Sequence, residues 1–149
     1  TVLRKNGTAK LRLFNVWATW CVPCVAEFPE LVKTIRKFGN RDFEVITISA
    51  DVPKDAAKVK AFLEKQGAGL PGRVKRSVQD EGRKTNSYLF TGADMNALMN
   101  ILDPQWPGGT PHTVLVSPDG QIIWRQNGPV DGDELRAKIL ECLGRFYRP

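Results

Sequence analysis

The strongest constraint on the fold lies in the first third of the chain, where two apolar, β-branched runs enclose one amphipathic helix. Lys10–Trp17 (KLRLFNVW) alternates and then turns continuously apolar, as a central strand should, and Phe43–Ser49 (FEVITIS) is a second such run. Between them, Cys24, Phe28, Leu31, Ile35 and Phe38 recur at steps of four and three. That spacing puts them on one face of a helix over Cys21–Phe38, with Gly39 suited to its stop. Pro29 falls inside the pattern, removes one helical N–H and crowds the Val25 carbonyl, so a kink is expected there.

Downstream, Asp55–Lys65 reads as a helix turning Ala56, Val59, Phe62 and Leu63 inward, and 67–85 reads as a long basic, glycine-rich loop. Ser87–Phe90 is a short strand. Thr91 and Asp94 suggest a capping box ahead of a helix lined by Met95, Leu98, Met99 and Leu102, which Pro104 ends. Thr113–Ser117 and Gln121–Arg125 flank Pro118-Asp119-Gly120 and form a hairpin by their turn chemistry. Asp131 can cap a last helix with Leu135, Ile139, Cys142 and Phe146 on its apolar face. Alternating strands and helices followed by a hairpin imply an α/β fold, a central mixed sheet with helices on both faces.

A length of 149 residues fits one domain, residues 1–149, with the insertion and basic loop at about 67–105. Charged residues at 26% and apolar residues at 42% exclude a disordered or low-complexity chain, and no apolar run is long enough to span a bilayer. The net charge of +6 is concentrated in 54–84. The loop 67–85 lacks the interleaved aromatics that stack bases, so nucleic-acid binding is not expected. The chain opens Thr1-Val2-Leu3 without an initiator Met, and any targeting or anchoring segment is expected upstream.

The chemistry is concentrated in Trp17-Ala18-Thr19-Trp20-Cys21-Val22-Pro23-Cys24, where a buried strand gives way to a helix. Cysteines at i and i+3 of a first helical turn have Cα atoms about 5–5.5 Å apart, within disulfide range. Cys21 meets the unsatisfied N–H groups and positive end of the helix, which favour its thiolate, whereas Cys24 joins the inward stripe. One exposed nucleophile and one shielded resolving sulfur make a thiol–disulfide exchange centre. Glu27, one turn beyond Cys24 on the same side, can take a proton when the pair closes, and burial would raise its pKa. Glu30 is expected to face solvent.

Trp20-Cys21-Val22-Pro23-Cys24 resembles the W-C-x-P-C motif of thioredoxin-fold oxidoreductases. The lead-in Trp17-Ala18-Thr19-Trp20 and the following Val-Ala-Glu-Phe-Pro-Glu (25–30) are similar, more narrowly, to the bacterial TlpA/ResA-like family. The resemblance spans roughly residues 10–146 and implies a thioredoxin-like fold, with 87–102 as an extra β-α insertion before the final hairpin. It implies that Glu27 sits where the family often has a glutamate. It implies a cis bond between Thr110 and Pro111 facing the disulfide, which would turn the Thr110 backbone outward to pair with a substrate strand. Trp20 and Pro23 would belong to the same docking surface.

The activity so implied is exchange of disulfides with protein substrates. Val22-Pro23 lies closer to the Gly-Pro of reducing members than to the Pro-His of strong oxidants, so the direction leans to reduction. The implied setting is extracytoplasmic, periplasmic in a bacterium and tethered through the segment upstream. Substrates would be protein thiols and disulfides such as those of apocytochrome c, with an upstream dithiol as electron donor. No cofactor is implied beyond the redox-active disulfide Cys21–Cys24.

Other readings use the same residues. A structural zinc site would want four ligands, and only Cys142 and His112 remain, so no metal is expected. The copper-chaperone variant of the fold spaces its cysteines by three residues, whereas two lie between these. A thiol peroxidase would carry threonine and proline where Ala18 and Phe14 stand. A non-catalytic binding module would not need the intact cysteine pair. His112 either contacts the site or points away from it, Trp17 is expected in the core, and Cys142 is expected to pack in the last helix.

Overall fold

A computed structural model describes residues 9–92 and 94–146. Their order is β1 (Leu11–Trp17), α1 (Val22–Lys37), β2 (Phe43–Ser49), α2 (Ala56–Gln66), α3 (Gly72–Asp80), β3 (Ser87–Leu89), α4 (Met95–Leu102), β4 (His112–Val116), β5 (Ile122–Asn127) and α5 (Gly132–Phe146). The strands form one sheet in the order β3-β2-β1-β4-β5. β1, β2 and β3 run parallel, and β4 lies antiparallel to both β1 and β5. The mixed sheet with its β3-α4 insertion and closing hairpin is the thioredoxin-like architecture expected from the sequence.

Alternation along β1 divides the core. Leu11, Leu13 and Trp17 pack with Phe28 and Leu31 of α1 and with Leu135 and Ile139 of α5. Phe14 and Val16 face the other way, onto Leu98 and Leu102 of α4 and onto Trp106. Trp17, Phe28 and Phe62 interlock, with ring centroids 4.8–5.2 Å apart. Each such ring, once buried, contributes about 1.5–3 kcal/mol of transfer free energy. This aromatic trio seats the start of α1 on the end of β1, which is where the cysteines lie.

Several expectations need correcting. Residues 72–80 are helical and not part of a continuous loop. Their only apolar residues, Val74 and Val78, stand one turn apart and are the two that α3 buries. The rest of the segment is polar, so the periodic signal was two residues deep. The need for α3 is visible elsewhere. Arg12 of β1 and Glu44 of β2 are buried neighbours in register, and a buried charge requires a partner. The turn after α3 supplies it: Arg83 Nη2 reaches both Glu44 oxygens at 3.0 Å, and Glu81 binds Lys10.

Asp94 caps α4 by itself, accepting the Asn96 N–H at 2.9 Å, and Thr91 is merely exposed. Ala56 is exposed at the start of α2. Gly39 is needed for closeness and not for a left-handed turn, since a Cβ there would stand 2.8 Å from Pro71 Cγ. Glu30 is half-buried beside Arg136 of α5, 3.5 Å from its Nη1. Pro29 is exposed inside an uninterrupted α1. Asp131 caps α5 as expected, accepting from the Asp133 and Glu134 N–H groups. The Phe146 side chain lies outside the described residues.

Candidate active site

Cys21 is the N-cap of α1 and is bonded to Cys24, with a Cα–Cα distance of 5.3 Å. The Cys24 N–H donates to Cys21 Sγ at 3.4 Å, so one of the unsatisfied donors of the first turn is aimed at that sulfur. Cys21 is 6% exposed and Cys24 1%. The outer sulfur is therefore more sheltered than the motif suggested, because the loop before β4 lies over it. Thr110 O stands 3.5 Å from Cys21 Sγ, and the Thr110–Pro111 bond is cis. Trp20 at 64% and Val22 at 78% exposure, with exposed Pro23, form an apolar rim beside the disulfide. Ala18 is fully buried, and its carbonyl accepts the Cys21 N–H.

Glu27 sits one helical turn beyond Cys24 and is 7% exposed. Its Oε2 accepts the Val130 N–H at 2.8 Å, and its Oε1 accepts from Asn15 Nδ2 at 3.3 Å. Burial pushes the carboxyl above its ordinary range, and the two hydrogen bonds hold back part of that rise. Asn15 Nδ2 also donates to Thr113 Oγ1 at 3.0 Å, while Asn15 Oδ1 is buried without a partner. A cleft of about 440 Å³ between α1 and the turn before α5, lined by Pro23, Glu27, Glu30, Val130 and Asp131, connects Glu27 to solvent. The carboxyl is thus both desolvated and within reach of water, as a proton relay requires.

Sequence reasoning missed Asp51, just past β2. It is 2% exposed and accepts the Thr19 N–H at 3.0 Å, the Thr19 hydroxyl and the Ser49 hydroxyl at 2.6 Å. It therefore ties down the loop leading to Cys21. Its only sequence signal was an acidic residue at the end of an apolar strand. Burial works to raise its pKa, but the hydrogen bonds from Ser49 and Thr19 outweigh burial and hold it below the usual carboxylate range. Replacing Asp51 with alanine strands these donors, and a loss of about 3 kcal/mol in urea unfolding is expected. Because the folded pKa is depressed, the contribution is complete above the ordinary value of 3.8 and lost as pH falls through the folded one. The stability gap between wild type and Asp51→Asn should therefore close in acid. A gap that persisted there would refute this account of the carboxylate.

His112 is buried and turned onto the opposite face of the sheet, stacked on Trp106, so it does not approach the sulfurs. Trp17 is in the core, and Cys142 is buried in α5. Among the described residues no group of three or more His, Cys, Asp or Glu could hold a metal ion, and no helix is long and apolar enough to cross a membrane.

Residues 4–140 match the family model described as Redoxin. The thiol:disulfide interchange protein HelX of Rhodobacter capsulatus is 29% identical over 136 residues, covering 90% of this chain and 61% of its own length. The thiol-disulfide oxidoreductase ResA of Bacillus subtilis is 26% identical over 109 residues, covering 73% of this chain and 48% of its own. The chain spans about half to two thirds of the length of these relatives. A crystal structure of a thiol:disulfide interchange protein from Chlorobium tepidum superposes with a TM-score of 0.67 at 20% identity, over 91% of this chain and 81% of that one. That likeness shows the thioredoxin-like fold.

Proposed function

The chain belongs to the Redoxin family, and on that premise we propose that it is a thiol–disulfide oxidoreductase that reduces protein disulfides through Cys21 and Cys24. The observation that supports this reading is the cysteine pair itself, closed at the amino end of α1 beneath the Thr110 carbonyl. The Cys21 thiolate attacks one sulfur of a substrate disulfide, forms a mixed disulfide and expels the other substrate sulfur as a thiolate, which takes a proton from water. Cys24 then passes its proton to Glu27 and attacks Cys21 Sγ. This closes the Cys21–Cys24 disulfide and releases the second substrate thiolate. Two electrons move from the dithiol to the substrate, and an upstream dithiol restores them. No other cofactor takes part.

Thr110 and cis Pro111, with Trp20 and Pro23 beside them, serve in this reading as the docking edge for an extended substrate segment. The proposed setting is extracytoplasmic, with cysteines of proteins such as apocytochrome c as substrates, in keeping with the TlpA/ResA-like motif. Redox equilibration against glutathione tests the direction. A reductant should show a potential well below that of the strong oxidants, and a value of about −120 mV would overturn the assignment.

A further inference from the structure

Trp106 and His112 take no part in the exchange chemistry, yet both are buried against the loop that carries Thr110. Gly108 and Gly109 in that loop have φ of +103° and +85°. Glycine adopts such values freely, so its own backbone preference does little to fix the loop and the shape has to be imposed by neighbours. The Trp106 indole N–H donates to Gly109 O at 3.0 Å. At the other end of the segment, Pro111 O accepts the Gly128 N–H at 2.8 Å.

The indole is itself held. Its ring lies flat on the His112 imidazole, centroids 4.8 Å apart and planes 3° from parallel. The Trp106 backbone N–H, a separate donor from the indole, donates to Asp103 O at 3.0 Å. His112 Nε2 lies 2.9 Å from Asp103 Oδ2, and Nδ1 lies 3.2 Å from Asn127 Oδ1. Asp103 is fixed in turn by Arg125, whose Nε and Nη2 reach it at 2.9 and 3.1 Å. Asp103, His112 and Arg125 thus form a rigid bed for the indole on the face of the sheet away from Glu27.

We propose that Trp106, seated on His112, is a positioning residue for protein substrates. Its indole N–H fixes the Gly109 carbonyl and so sets the direction in which Thr110 presents its backbone to an incoming extended segment. The proposal rests on the docking reading of Thr110 given above. It implies selectivity by substrate class, because a small disulfide that reaches Cys21 without pairing along Thr110 does not need the clamp.

Steady-state reduction of insulin, alongside reaction of the reduced protein with a small aromatic disulfide, separates the possibilities. Trp106→Phe keeps a ring on His112 and deletes the N–H. His112→Gln keeps a polar contact to Asp103 and deletes the stack. Either variant should raise KM for insulin about five- to tenfold, the scale of one lost hydrogen bond, with kcat and the small-disulfide rate unchanged. An unchanged KM in a folded variant, or an equal loss on both substrates, overturns the clamp. If the wild type reduces neither substrate, the oxidoreductase reading itself has failed, a different result. Should both variants fail to fold, the Cys24→Ser mixed disulfide of the protein still decides. The Trp106 indole N–H should keep its hydrogen-exchange protection when a peptide is docked, and loss of that protection refutes the proposal.

Discussion

Cys21→Ser should reduce insulin no faster than the uncatalysed background, whereas Cys24→Ser should react once and then stall as a mixed disulfide on Cys21. The two outcomes differ because the two sulfurs are held differently. Cys21 Sγ receives the Cys24 N–H and sits at the positive end of a helix of 16 residues, which favours its thiolate. A serine hydroxyl in that place stays protonated and cannot be expelled again as a thiolate can. Cys24 is 1% exposed beneath it, too deep to meet a protein substrate but one bond length from the sulfur it must attack. The serine variant therefore leaves the first attack intact and removes only the resolving step. Non-reducing electrophoresis followed by mass spectrometry would show the adduct and identify its partner. Residual insulin reduction by Cys21→Ser, or a Cys24→Ser protein that never accumulates a reductant-sensitive adduct, would reject the assigned roles.

What the sequence revealed of this site follows from the distance over which each interaction acts. The cysteine pair, the strand before it and the stripe of α1 are local patterns, and they fold as their spacing indicates. The partners that tune the site are not local. Glu27 is held by Val130, far along the chain. Thr19 is held by Asp51 across the parallel pair β1–β2. His112 follows cis Pro111 at once, yet strand alternation turns it to the opposite face, onto Trp106. The α3 helix was illegible for another reason. Its burial rests on Val74 and Val78 alone, while the force that holds the following turn is charge pairing with Lys10 and Glu44, which periodicity does not report.

Glu27→Gln should leave mixed-disulfide formation at the wild-type rate and slow its resolution about a hundredfold at neutral pH, the usual scale for loss of a positioned proton acceptor. In the wild type, resolution should speed up as pH rises through the ionisation of Glu27, with a midpoint above the ordinary 4.5 because the carboxyl is buried. That step in the profile should vanish in the variant. Stability gives an independent sign. A carboxyl whose folded pKa is raised stabilises the fold fully below its unfolded value and loses that contribution as pH climbs through the folded one. Wild type at neutral pH thus carries the cost of a buried negative charge that glutamine does not. The glutamine oxygen can keep the Val130 N–H. Once the Asn15 amide turns over, the glutamine NH₂ can donate to Asn15 Oδ1, with the Thr113 hydroxyl donating to the same oxygen. That exchange moves the unpartnered position from Oδ1 to Nδ2 and adds none. The variant should consequently be at least as stable as wild type at pH 7, with the difference disappearing below about pH 4.5. Stopped-flow resolution of a preformed mixed disulfide, paired with urea unfolding at both pH values, reads the two effects separately. A variant that resolves at the wild-type rate across the whole range, or that loses several kcal/mol at neutral pH, would show that the carboxylate holds the turn before α5 in place and does not move the proton.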